Sequence, residues 1–347
     1  MPHNIIHKLI SRSQDGRHQT SYSLPWPSST VTASDVPLLF QEPHILPGYR
    51  PVHQKWLCYL RRLFQEQESL NVWTHLLAVP VVLIRWWVNA LDAGFTLDIV
   101  SLPLSVFLVS VLVYILVSAA AHLFQAHSAH AHYPFFFMDC AAMAVFQYGA
   151  SLAHFFYTSE PQWRGSHVAP IYLPGSALVA WLSCVGCCFA KSWYRQPYPP
   201  QRKMFQVIPC TVAYLLDSSP IIHLLLTAPW TQEPHLKFHA LHVGSTLMSA
   251  FFFSTAIPDW FFPGRCDIMG QGHQLFHLFM SLSTLFQLEA LFHDYRRKRE
   301  TLLDIFRESQ LQWACESYFA VVLCCFGTAL IAWWITCRQL QAEEKVK

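Results

Sequence analysis

Eight stretches of predominantly apolar residues recur between residues 74 and 337, near 74–91, 99–122, 135–157, 168–190, 205–227, 239–257, 271–292 and 313–337. A helix rises about 1.5 Å per residue, so a hydrocarbon layer roughly 30 Å thick takes about 20 residues to cross. In lipid every backbone N–H and C=O must be satisfied within the segment, which makes runs of this length helices. The expected fold is an all-α integral membrane bundle with eight spans. Charged residues are only 13% of the 347, too few to coat a soluble globule of that size. The formal net charge is +2 and no basic run is interleaved with aromatics, which sets nucleic-acid binding aside.

Residues 1–50 read as a polar cytosolic tail, rich in Ser, His and Pro, with no core of its own. The start of the chain has neither a continuous apolar segment nor a small-residue cleavage site, so no removable signal peptide is expected. Residues 51–73 carry Trp56, Tyr59, Leu60, Leu63 and Phe64 at helical spacing, with Lys55, Arg61, Arg62 and Glu66 on other faces, as in an amphipathic juxtamembrane helix. The bundle follows over 74–337, and 338–347 form a cytosolic tail. Arg85 interrupts the first span and must snorkel or face the bundle. Cys184, Cys187, Cys188, Cys324 and Cys325 lie in apolar segments and read as buried thiols.

Lys and Arg in the links number fifteen on the side that holds both termini and seven on the other. The excess places both termini in the cytosol. Arg296, Arg297, Lys298, Arg299 and Arg307 are the local exception, a basic link on the opposite side.

The seventh span opens with Gly270-Gln271-Gly272-His273-Gln274-Leu275-Phe276-His277, so two histidines share one helical face about 6 Å apart along the axis. The second span ends in Ser118-Ala119-Ala120-Ala121-His122, and Asp139 sits near the start of the third. Alternating topology brings all of them to one depth. Ionisable groups inside a bilayer need partners, and four at one level point to a shared site. His122, His273 and His277 would fill three tetrahedral positions around zinc, leaving the fourth to a water that Asp139 holds or deprotonates. Ser118, one turn before His122, either bonds that water or bonds back to its own helix. His127, His130 and His132, in the link after span two, read as solvated.

Ser-x-x-x-His, a following Asp and His-x-x-x-His resemble the pattern of the progestin and adipoQ receptor family and of the alkaline ceramidases in the same superfamily. The likeness extends to Pro47-Gly48-Tyr49-Arg50-Pro51, Asn71-Val72-Trp73-Thr74-His75-Leu76 and Phe262-Pro263-Gly264, and covers nearly everything from residue 35 onward. A departure is Gln67, where asparagine is expected before Glu68. The eighth span favours the progestin-receptor branch, because adiponectin receptors have seven. The resemblance implies a seven-helix bundle of the family's type plus an eighth C-terminal transmembrane helix. It implies zinc ligands at His122, His273 and His277, with Asp139 acting through water. It also implies a plasma-membrane receptor for progesterone-like steroids that lowers cyclic AMP through an inhibitory G protein, with roles in oocyte and germ-cell maturation; endosomal residence is left open.

Two polar residues of span five complete the candidate set. The amide of Gln206, at the depth of the metal, either meets a steroid ketone or faces headgroups and water. Asp217 lies mid-span and requires a partner from His154, Glu289, His293 or Arg85; a structural pair is favoured, with a ligand-pocket role open. Three functions stay in competition. One is a steroid or other lipid receptor. The second is a zinc-dependent ceramidase-like amidase using Asp139 and Ser118, and the third is a zinc clamp of purely structural value.

Overall fold

Most of the helices begin where the apolar runs meet proline or a capping side chain. The computed structural model describes residues 30–346 except 62, 65, 66, 195, 197, 232, 234 and 256. Its main elements are α1 (Ser69–Asp92), α2 (Leu102–Phe124), α3 (Ala129–Ala153, prolonged by a π turn His154–Thr158), α4 (Ala169–Trp193), α5 (Pro200–Asp217), α6 (Ser219–Thr227), α7 (Leu236–Ser254), α8 (Gly272–Lys298) and α9 (Glu308–Val346). No strand occurs among the described residues, only an isolated bridge between Val31 and Tyr49. Pro103, Pro170, Pro200 and Pro220 occupy first-turn positions, where the missing N–H costs nothing. Ser128 caps α3 by accepting from the Ala131 N–H.

Six helices, α1, α2, α3, α4, α8 and α9, are long and apolar enough to cross a membrane, and α5 with α6, bent by 47° at their junction, passes the same test as a pair. Pro220 has no N–H to return to Leu216, so the expected span over 205–227 breaks in two. The expected span over 239–257 forms a helix but falls short of that apolarity, and the reason lies on its buried face. His239 bonds Asp294, His242 and Thr246 bond Ser283, and Ser249 bonds the Phe276 carbonyl. Hydrogen bonds at four positions along α7 therefore join it to α8.

α3 is the centre of the bundle: two thirds of its apolar window (67%) is buried, against 22% in α1 and α9. Ala141, Ala142, Ala144, Gly149, Ala150 and Ala153 let neighbours come close. At Gly149 a Cβ would stand 2.1 Å from Ser110 Oγ of α2, so no larger residue fits without moving that helix. The expected eighth span, α9, is an integral part of the packing, with Ser110 donating to Tyr318 and Tyr148 bonded to Ser317. Of the five thiols expected to be buried, Cys184, Cys188 and Cys325 are, whereas Cys187 is half-buried and Cys324 is exposed on the outer face of its helix.

Three expectations need correction. Residues 30–50 are folded: Val36, Ile45 and Tyr49 form a small core and Arg50 reaches the His122 carbonyl at 2.8 Å; residues 1–29 lie outside the described part. Among the described residues of 51–73 a helix covers Trp56–Arg61, and α1 already starts at Ser69. His132 is buried in α3 against Phe40 and Phe136, and His127 stacks on Trp56 at 4.0 Å, so only His130 of that trio is exposed.

The helices alternate between two ends, one carrying His122, Lys191 and His273 and the other carrying His154, Glu160 and Asp294. The basic run that closes α8 lies at the second end, where the four charges from Arg296 to Arg299 are engaged. Arg296 pairs with Asp92 at 2.7 Å, Arg297 with Glu160 at 2.5 Å, and Arg299 bonds the Ala93 and Gly94 carbonyls. Lys298 bonds the Ser159 carbonyl at 2.6 Å. Arg85 meets Glu289 in a two-point ion pair at 2.6 and 2.8 Å.

Candidate metal centre

His122 lies in the last turn of α2, and His273 and His277 lie in the first two turns of α8, so the centre forms where those helix ends meet. The start of α8 is held tightly. Gln271 and Gln274 form a reciprocal cap, and the Asp259 carboxylate accepts from the Gly272 N–H at 3.0 Å. A Cβ on Gly272 would approach the Ile257 carbonyl oxygen to 2.5 Å, a backbone atom that cannot swing away. Gly272→Ala is expected to cost about 1–3 kcal/mol through overpacking. It would also displace His273, which metal stoichiometry and the thermal midpoint of the purified protein would register together.

The three Nε2 atoms face one another. His273 Nε2 is 3.0 Å from His277 Nε2 and 3.4 Å from His122 Nε2, and a ligand atom from each lies within 4.8 Å of the others. Two nitrogens of a tetrahedral zinc site with Zn–N bonds of 2.0–2.1 Å are roughly 3.3 Å apart. His277 is 1% exposed and its Nδ1 has no hydrogen-bond partner among the described residues. Three convergent imidazole lone pairs repel one another, and a central cation satisfies all three. The donor set and its spacing fit a metal ion.

Sequence reasoning overlooked the support beneath it. His122 Nδ1 is 2.8 Å from Glu68 Oε2, which places the proton on Nδ1 and leaves Nε2 free as a ligand. Asn71 donates to the same carboxylate oxygen at 2.7 Å. Burial pushes the Glu68 carboxyl up, but His122, Asn71 and Arg50 outweigh it and hold it at about 2. His75, buried one turn further along, brings its ring centroid to 4.3 Å from that of His277. Glu68, Asn71 and His75 stand at i, i+3 and i+7, a single helical face that the spacing offered as a signal. Asp139 is outside the three-nitrogen cluster and faces the Ser118 hydroxyl and His122.

The other two candidates, Gln206 and Asp217, lie on α5 and are separated from each other along it. Gln206 is buried, 7% exposed, and its amide makes no hydrogen bond among the described residues. Asp217 closes α5 at the opposite end. Its carboxylate is 2.9 Å from His154 Nδ1 and takes a longer bond of 3.4 Å from the Tyr172 hydroxyl, which also donates to its backbone carbonyl. His154 is the partner among the four considered, and its other nitrogen meets Gln287 at 3.0 Å. Arg85 and Glu289 satisfy each other instead.

Known proteins resemble this chain along most of its length. The family model described as haemolysin-III related matches residues 64–288. The chain is 41% identical over 337 residues to a protein of Sus scrofa named membrane progestin receptor beta, an overlap covering 94% of this chain and 95% of that one. Its Homo sapiens counterpart is 44% identical over 312 residues, covering 89% and 88% of the two chains. A Homo sapiens protein named membrane progestin receptor alpha is 39% identical over 352 residues, covering 100% of this chain and 99% of that one.

Proposed function

Since this chain belongs to the haemolysin-III related family of progestin and adipoQ receptors, we propose that it is a multi-pass membrane receptor for progesterone-like steroids. The observation that carries the reading is the likeness, over nearly the whole chain, to proteins named membrane progestin receptors. The unpartnered amide of Gln206 supports it, since a flat apolar ligand needs a few polar groups for orientation and Gln206 has one to offer. Asp217 would act at one remove, fixing His154 and the α5–α6 bend that shapes the apolar walls. In this proposal the receptor sits in the plasma membrane with both termini cytosolic. It couples there to an inhibitory G protein that lowers cyclic AMP during oocyte maturation.

His122, His273 and His277 would hold a zinc ion, with Glu68 fixing the tautomer of His122. When bound, zinc would tie α2 to α8 and offer one open coordination position. Ser118 and Asp139 face that level with a hydroxyl and a carboxyl, a pair able to hold and pass a proton. This arrangement favours a second reading, a lipid amidase acting on ceramide-like substrates.

Purified protein decides between the readings. Saturable binding of labelled progesterone is expected, weakened about tenfold by Gln206→Ala, the loss of one buried hydrogen bond. Fatty-acid release from ceramide that His273→Ala abolishes, in the absence of saturable steroid binding, would sink the receptor reading in favour of the amidase.

A further inference from the structure

A pocket of about 440 Å³ opens between the end of α4, the start of α5 and the end of α9. It lies at the same end of the bundle as the metal centre but is lined by a different set of residues. Lys191, Arg202 and Tyr194 contribute hydrogen-bond donors, as does the Gln196 amide, which also donates to the Gln41 carbonyl, and Glu343 is the carboxylate of the lining. Two of the polar atoms are buried without a partner among the described residues: Nδ1 of His132, whose side chain is 9% exposed, and Nε of Arg202. The two cations rest on aromatic faces. Lys191 Nζ is 3.3 Å from the centroid of the Phe136 ring, and the Arg202 guanidinium is 3.5 Å from that of Tyr198. A ring face stabilises a cation but does not use up its N–H donors in the way a carboxylate does.

An acceptor-rich, anionic ligand suits such a lining. Leu38, Leu39 and Leu340 add an apolar wall, which a free inorganic ion would not need. The depth is that of the bilayer surface, since α4 ends at Trp193, which is 65% exposed, and α5 begins at Pro200. Basic pockets between helices at this level hold phosphorylated lipid headgroups in other membrane proteins. Glu42, in electrostatic reach of Lys191 and Arg202, and Glu343 oppose the binding, so hydrogen bonding as well as net charge must supply the affinity. From the donor-rich lining, its orphaned nitrogens and its apolar wall we infer that the pocket binds the phosphoryl headgroup of an anionic lipid of the adjoining leaflet.

The full-length protein in phosphatidylcholine nanodiscs would be titrated with a phosphatidylinositol phosphate carrying a fluorescent acyl chain. Saturable binding is expected, weakened about tenfold in Arg202→Gln by loss of charge-assisted hydrogen bonds. Lys203→Gln removes the same charge outside the lining, where Nζ bonds the Phe253 carbonyl, and is expected to change affinity much less. Tyr194→Phe, which deletes one lining hydroxyl, provides the reading if Arg202→Gln does not fold, with weakening of about threefold expected. Equal weakening by Arg202→Gln and Lys203→Gln would reduce the effect to surface charge and overturn the inference. So would an absence of saturable binding. A soluble inositol phosphate that competes as strongly as the lipid would assign the pocket to a free phosphoryl ligand and overturn the lipid assignment.

Discussion

His277→Ala protein purified in detergent is expected to retain about a tenth or less of the zinc bound by wild type, because a three-ligand site reduced to two no longer closes around the ion. His277 is the least exposed of the three ligands, at 1%, and its Nε2 lies 3.0 Å from that of His273. Elemental analysis of wild type and variant at matched protein concentration measures the difference. Stoichiometric zinc in the variant, or none in wild type, would remove the metal from the proposal altogether. Glu68→Gln refines the test. It keeps the shape of the side chain but turns the charge-assisted bond to His122 Nδ1 into a neutral one, and a loss of about 10–100-fold in zinc affinity is expected.

The second large effect is on stability. Asp217→Ala would leave the Nδ1 of His154, which is fully buried, without its acceptor, while the Tyr172 hydroxyl keeps its bond to the backbone carbonyl of residue 217. A stranded buried polar group costs about 1–3 kcal/mol, so a loss of about 2 kcal/mol is expected, read as a lowered thermal midpoint in detergent. Asp217→Asn keeps an acceptor oxygen and should fall between wild type and alanine. If Asp217→Ala binds steroid poorly yet unfolds like wild type, the residue belongs to the ligand pocket and its support of His154 is incidental.

The helices were visible in the sequence because a bilayer imposes a simple requirement, a sustained apolar run, and six of the eight expected spans meet it as single helices. The run over 205–227 concealed its own break, since hydropathy does not register the missing N–H of Pro220. The stretch over 239–257 is helical, but its histidines and hydroxyls find partners on α8 that no property of α7 alone discloses. The metal ligands were legible for a local reason: His273 and His277 are four apart, and His122 ends a span. Glu68 acts on His122 from 54 positions away, a distance at which only tertiary structure makes the pairing evident. The basic run at the end of α8 looked anomalous because counting charges treats each as solvated. Asp92, which ends α1, and Glu160, in the link after α3, meet Arg296 and Arg297. The fold of residues 30–50 was likewise hidden, for a short segment with no periodicity gains its order by leaning on the bundle.

The bonded seam between α7 and α8 has a consequence for motion. Apolar faces in a membrane can slide past one another by fractions of a turn at little cost, whereas bonds such as His239 to Asp294 and Ser249 to the Phe276 carbonyl exist in one register only. The pair should therefore travel as a rigid plank that carries His273 and His277 with it. Any shape change transmitted across this protein has to be hinged elsewhere, and the broken joint between α5 and α6 is the place where the backbone is already bent.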